Sequence, residues 1–152
     1  MSFALSCSTN GEKTLSTSMT DLTVDHVMLS PDKIPVVREK QLLKKVLEEM
    51  TRCRLGIASI VDSDGTLLGI FTDGDVRRML LKDQKPFAAL FADDAIRHAV
   101  RNPTTTRPET LLSEAVMVME ERQIWDLPVV DQENRLVGLL HLHPAVKALL
   151  NI

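Results

Sequence analysis

The second half of this chain repeats the first. Gly69-Ile70-Phe71-Thr72-Asp73-Gly74-Asp75-Val76-Arg77-Arg78 and Gly138-Leu139-Leu140-His141-Leu142-His143-Pro144-Ala145-Val146-Lys147 share one plan. In each, an apolar run opens on glycine and passes straight into a helical pattern. Setting Gly138 on Gly69 needs no gap for about forty residues. Leu111 and Leu112 then fall on Leu42 and Leu43, Met119 on Met50, and Val130-Asp131 on Val61-Asp62. Leu136 falls on Leu67, and Leu149-Leu150 on Leu80-Leu81. An internal duplication of this kind fixes the architecture before any local reading does.

Within the first copy, Ile34-Pro35-Val36-Val37 reads as a short strand that Pro35 confines to an edge. Glu39 to Arg52 reads as an amphipathic helix with Leu42, Leu43, Val46, Leu47 and Met50 as its stripe. Ile57–Val61 and Thr66–Phe71 are strands joined by the turn Asp62-Ser63-Asp64-Gly65, and a helix follows Thr72. The second copy repeats this order. Thr104-Thr105-Thr106 stands for the edge strand and Glu109–Arg122 for the helix. Leu127–Val130 and Arg135–Leu140 form the hairpin, turning at Gln132-Glu133-Asn134, and Pro144–Leu150 is the closing helix. Pro144 reads as a residue of the first helical position. Short lead-in helices are expected at Asp21–Met28 and Asp94–Val100, and Pro86 starts a further short helix in the connector. The fold class is α+β: two β-α-β-β-α units, each too small to stand alone, packed through their sheets about a pseudo-two-fold axis. The division is a mobile Ser/Thr-rich tail over 1–20, a first unit over 21–82, a connector over 83–93 and a second unit over 94–152.

The strand-to-helix ends are the places where chemistry is to be sought. A helix N-terminus offers unpaired N–H groups and a partial positive charge to an anion. Thr72 adds a hydroxyl, and Asp75 a carboxylate able to accept from a ribose diol. The same T-x-x-D is also a capping box, in which both side chains satisfy their own helix. His141 and His143 alternate along a strand end and are expected to point to opposite sides. Without a third ligand they make no metal site, and a phosphate or carboxylate contact suits one of them better. Arg77 and Arg78 read as solvated charge or as a phosphate contact. Trp125, the sole tryptophan, reads as a base-stacking platform or as a core or interface residue. Cys53 reads as a packed thiol.

The totals exclude several classes. A net charge of −3 without a basic stripe argues against nucleic acid and anionic membranes as partners. No apolar run approaches 18 residues, and Met1–Ser18 lacks the pattern of a secretory signal. Two cysteines make no disulfide framework, so a reducing cytoplasm is the expected setting. No nucleophile elbow, Walker loop or cofactor fingerprint is present, and no catalytic residue is assigned.

The strand Pro128-Val129-Val130-Asp131, with Ser59–Asp62 opposite, and the end Gly69–Asp75 resemble the markers of a tandem CBS domain pair, over about residues 22–151. Val24–Met28, Ile34-Pro35, Gly69–Arg78 and Gly138–His143 are similar, more closely, to the C-terminal CBS pair of bacterial arabinose-5-phosphate isomerases, enzymes of Kdo biosynthesis. Phe3–Ser6 resembles the end of their catalytic domain, but Cys7-Ser8-Thr9-Asn10 replaces a motif holding a suspected catalytic histidine. The resemblance implies a regulatory module without its sugar-isomerase domain, forming a homodimer. It implies that Thr72 and Asp75 contact the phosphate and ribose of a nucleotide. Ile34, Pro35, Gly56, Ile57, Arg77, His141 and His143 complete the candidate ligand-binding set. The family as a whole implies AMP or ATP as the regulatory ligand, and the pathway implies CMP-Kdo. No resident cofactor and no metal are expected. In the second half, His141 replaces the threonine and Pro144 the ribose-binding aspartate, so that half-site is expected to be degenerate. A structural dimerisation module without a ligand is the alternative.

Overall fold

Leucine, valine and methionine recur three or four positions apart in two stretches, and both become helices that bury that stripe. Helix α1 (Leu43–Cys53) buries Leu43, Val46 and Met50, and α4 (Leu112–Arg122) buries Leu112, Ala115 and Met119. Each ends on a residue in the left-handed region, Arg54 (φ 55°) and Gln123 (φ 53°), at matching places in the repeat. The helices begin later than their apolar pattern does. Leu42 and Leu111 are N-caps, so Leu42 leaves the buried stripe and is exposed.

The computed structural model describes residues 21–152. The expected tail over 1–20, with Cys7 and the Phe3–Ser6 resemblance, lies outside the described residues. In chain order the remaining elements are β1 (Val36–Arg38), β2 (Ile57–Val61), β3 (Leu67–Thr72), α2 (Asp73–Lys82), α3 (Phe87–Phe91), β4 (Val100–Arg101), β5 (Asp126–Val130), β6 (Leu136–His141) and α5 (Leu142–Leu150). Three single turns of 3-10 helix, Val24–His26, Pro31–Lys33 and Ala95–His98, precede them or lie between them.

The first sheet has four strands in the order β1-β2-β3-β4, with β1 parallel to β2 and the other pairs antiparallel. The second has two, β5 antiparallel to β6. Single bridges complete it: Thr106 lies parallel to Val129, as β1 lies on β2, and Leu29 lies antiparallel to Leu139, as β4 lies on β3. The expected strand over Thr104–Thr106 is thus one bridged residue. The hairpin turns are built alike. Asp62 Oδ1 accepts the backbone N–H of Asp64 and Thr66, and Asp131 Oδ1 accepts those of Glu133 and Arg135. These backbone bonds, Arg135 first, hold the Asp131 carboxyl below its ordinary range. The turns meet on the pseudo-axis: Leu67 N–H donates to Asn134 O, and Leu136 N–H to Gly65 O, at 2.9 and 3.0 Å.

The lead-in segments cross over. Val24 is buried in the core of the second half with Leu112, Met119, Leu127 and Leu140. Leu90 and Ala95 are buried in the core of the first, with Leu43, Val46, Ile60 and Phe71. A third cluster, Ile34, Ile57 and Leu139, joins the two sheets.

This crossing explains why both motifs open on glycine. A Cβ on Gly69 would stand 2.7 Å from Val100 O, and one on Gly138 2.8 Å from Leu29 O. Each faces the backbone of the crossing segment, which cannot step aside without breaking its bridge. Gly69→Ala and Gly138→Ala are each expected to destabilise by roughly 1–3 kcal/mol in urea unfolding. Wild-type midpoints in both variants would contradict the crossing.

Candidate ligand cleft

The pseudo-axis brings the two strand-to-helix ends to one cleft of about 840 Å³. Its first wall carries Gly56, Ile57, Thr72, Asp73 and the arginines Arg77 and Arg78. The opposite wall carries Gln123, Ile124, Trp125, Asp126 and His141, with Asn102, Pro103 and Thr104 beside it. Of the residues singled out in the sequence, Gly56, Ile57, Thr72, Arg77 and His141 meet here. Ile34 and Pro35 do not: both are buried, Ile34 between the sheets with Leu139, while Pro35 O accepts Ser59 N–H. His143 is also elsewhere. The strand β6 ends at His141, and His143 is an exposed residue of the first turn of α5, so the expected alternation along a strand does not hold. Pro144 is the third helical residue rather than the first, still within the turn whose N–H groups lack helical partners.

At the first helix start, the capping reading of T-x-x-D is fully realised. Thr72 caps α2, and Asp75 N–H donates to its Oγ1 at 3.3 Å. Asp75 Oδ2 accepts the Thr72 backbone N–H at 2.8 Å and its hydroxyl at 2.9 Å. Arg78 donates to Asp75 Oδ1 at 2.6 Å. The Asp75 carboxylate is 8% exposed and is absent from the cleft lining. The sequence offered it to a ribose; the fold turns it to its own helix.

At the second helix start, the N-cap His141 makes no side-chain cap bond. Its Nδ1 instead meets Asp126 Oδ1 at 2.7 Å, across the β5–β6 ladder where the two residues are directly paired. The Asp126 side chain is 12% exposed. Burial pushes its carboxyl above the ordinary range, opposed by the bond to His141 and reinforced by the charge of Asp73. Sequence reasoning missed Asp126 and Asp73. The available signal was a charged residue opening a strand whose repeat partner, Ile57, is apolar. Trp125 is 70% exposed on the cleft wall, which fits a platform or an interface residue and not a core one. Among the described residues, no three His, Cys, Asp or Glu side chains gather as a metal cage. No helix among them is long and apolar enough to cross a membrane.

The raised Asp126 carboxyl gives a signed pH dependence. Folded, it keeps its proton to higher pH than in the unfolded chain. Its contribution is therefore complete below the unfolded value, near ~4, and is lost as pH rises through the folded one. Asp126→Asn mimics the protonated form. The variant is expected to melt with the parent near pH 4 and above it at pH 7. A parent that melts higher at pH 7 would show that the His141 bond outweighs burial.

A family model described as CBS domain matches residues 24–82 and again 92–150. The chain belongs to the CBS domain family. This CBS pair is 38% identical over 127 residues to arabinose 5-phosphate isomerase KdsD of Pseudomonas aeruginosa, covering 84% of this chain and 38% of that protein. KdsD of Escherichia coli K12 is 35% identical over 127 residues, covering 84% and 37%. The chain thus spans under two fifths of these curated relatives, over their CBS region. Among solved structures, CBSX2 in complex with AMP matches with a TM-score of 0.74 and 25% identity, covering 85% of this chain and 96% of that one. The expected α+β fold of two CBS units is the one observed, in a regulatory type of module related to KdsD.

Proposed function

We propose that this CBS pair is a cytoplasmic regulatory module that senses a nucleotide or nucleotide sugar in the cleft between its halves, on behalf of an arabinose-5-phosphate isomerase-type protein. The observation that carries the reading is the cleft itself. It has room for one mononucleotide, two guanidinium groups on one wall and an exposed indole on the other. Arg77 and Arg78 suit a phosphate, and Trp125 suits a base. The AMP complex of CBSX2 supports a nucleotide of this kind. Two carboxylates, Asp73 and Asp126, also line the cleft. They offset the arginines and favour the single phosphate of AMP over the three of ATP; CMP-Kdo, with a phosphodiester, satisfies the same balance. A thermal-shift panel of AMP, ATP and CMP-Kdo tests this. A ligand at 100 times its Kd adds about 2.7 kcal/mol. AMP or CMP-Kdo is expected to shift melting more than ATP, and no shift from any of the three would overturn the sensing role.

The structural reading has its own support. Leu81 of α2, Met117 of α4, Leu150 of α5 and Phe87 of α3 are all exposed apolar side chains. With the working division into units at 21–82 and 94–152, they flank both halves. The module is accordingly expected to form a homodimer. Sedimentation equilibrium at micromolar concentration should show twice the chain mass of 17.0 kDa. A species of chain mass alone would refute it.

A further inference from the structure

Three acids stand near the two strand-to-helix ends, yet only two of them line the cleft. Asp75 is committed to the cap and to Arg78. Asp73 is the exposed first residue of α2, its carboxylate lying over Gly56 on the arginine wall. Asp126 lies on the other wall, next in sequence to Trp125, and its Oδ1 is held by His141. Among the described residues, no protein donor meets its Oδ2.

We propose that the Asp126–His141 pair, and not Asp75, reads the vicinal diol of a ribonucleotide in this cleft. The inference rests on the nucleotide reading of the site. Three observations carry it. First, the repeat places Asp126 where the first half has Ile57, and His141 where it has Thr72. Both pairs are direct cross-strand neighbours in their hairpins. The half without the threonine and aspartate of T-x-x-D therefore carries a different carboxylate, held by a histidine, at the same end of the fold. Second, the pair presents a carboxylate held in place: with Asp126 ionised, Nδ1–H of His141 donates to Oδ1, which leaves Oδ2 to accept from the hydroxyls of the diol. Third, the pair adjoins the indole that would carry the base and lies across the cleft from the arginines that would carry the phosphate. That is where the sugar of a bound mononucleotide falls. His141 acts here as a positioning residue, since it fixes the carboxylate.

The test compares AMP with 2′,3′-dideoxy-AMP by calorimetry. The parent is expected to prefer AMP by about ten- to a hundred-fold, as for hydrogen bonds to a charged group. Asp126→Ala should bring the ratio near one, and Asp126→Asn, folded at pH 7 by its melting curve, should lower it several-fold. His141→Thr, which copies the first half, should lower it too, and Asp75→Asn should keep it. A parent that binds both nucleotides equally would overturn this inference and spare the nucleotide reading. Folded Asp126 variants with the parental ratio, or loss of the ratio in Asp75→Asn, would do the same. A parent that binds neither would remove both.

Discussion

Phe71→Ala is expected to remove about 3–5 kcal/mol of unfolding free energy, the range for emptying a buried aromatic site. Phe71 is 0% exposed, one residue before the end of β3. It packs in the one cluster that holds α1, β2 and α2 together with Leu90 and Ala95 of the crossing segment. Several elements therefore border the space it would leave, and none can collapse into it alone. A domain of this size holds only about 5–15 kcal/mol in all, so the loss is a large share. Gln84, exposed between α2 and α3, is the internal control, and Gln84→Ala should stay within about 0.5 kcal/mol of the parent. Urea unfolding of both variants decides the matter. A Phe71→Ala loss under 1 kcal/mol would mean that the crossing segment is not part of that core.

Leu139→Ala is expected to cost about 2–5 kcal/mol and to weaken nucleotide binding as well. Leu139 is 1% exposed and sits between the sheets with Ile34 and Ile57. Ile57 also lines the cleft. The same apolar contact thus stabilises the junction and sets the spacing of the cleft walls. The backbone of Leu139 adds a second tie, exchanging both N–H···O bonds with Leu29 at 2.8 and 3.0 Å. Truncation of the side chain leaves that ladder in place, so the variant should fold with a looser junction. Urea unfolding reads the first effect and calorimetry with AMP the second. Lost stability with unchanged affinity would separate the junction from the site.

Most of the fold is legible because its causes are local or repeated. The α1 and α4 stripes, the Asp62 and Asp131 turns and the Thr72 cap are all written within a few neighbouring residues. What escapes the sequence depends on contacts between distant segments. Val100–Arg101 is too short to carry a period, and only the pairing with Gly69 and Ile70 makes it a strand. The exchange of lead-in segments leaves no mark in apolar spacing, since Val24 is apolar whichever core receives it. The site shows the same limit. Thr72-x-x-Asp75 is visible as a motif, but which way Asp75 turns depends on Arg78 and on the depth of the helix start. Asp126 belongs to no motif. Its meaning comes from His141, its partner across the hairpin, and from the repeat that sets it on Ile57.

Trp125 reports directly on whether the cleft between the halves binds a nucleotide. It is the sole tryptophan, and it stands 70% exposed on the cleft wall. Titration of AMP against its fluorescence should give a saturable change in emission, with a Kd equal to that from calorimetry and one nucleotide per chain. Calorimetric binding with emission unchanged would place the nucleotide elsewhere, and no response in either measurement would contradict the account.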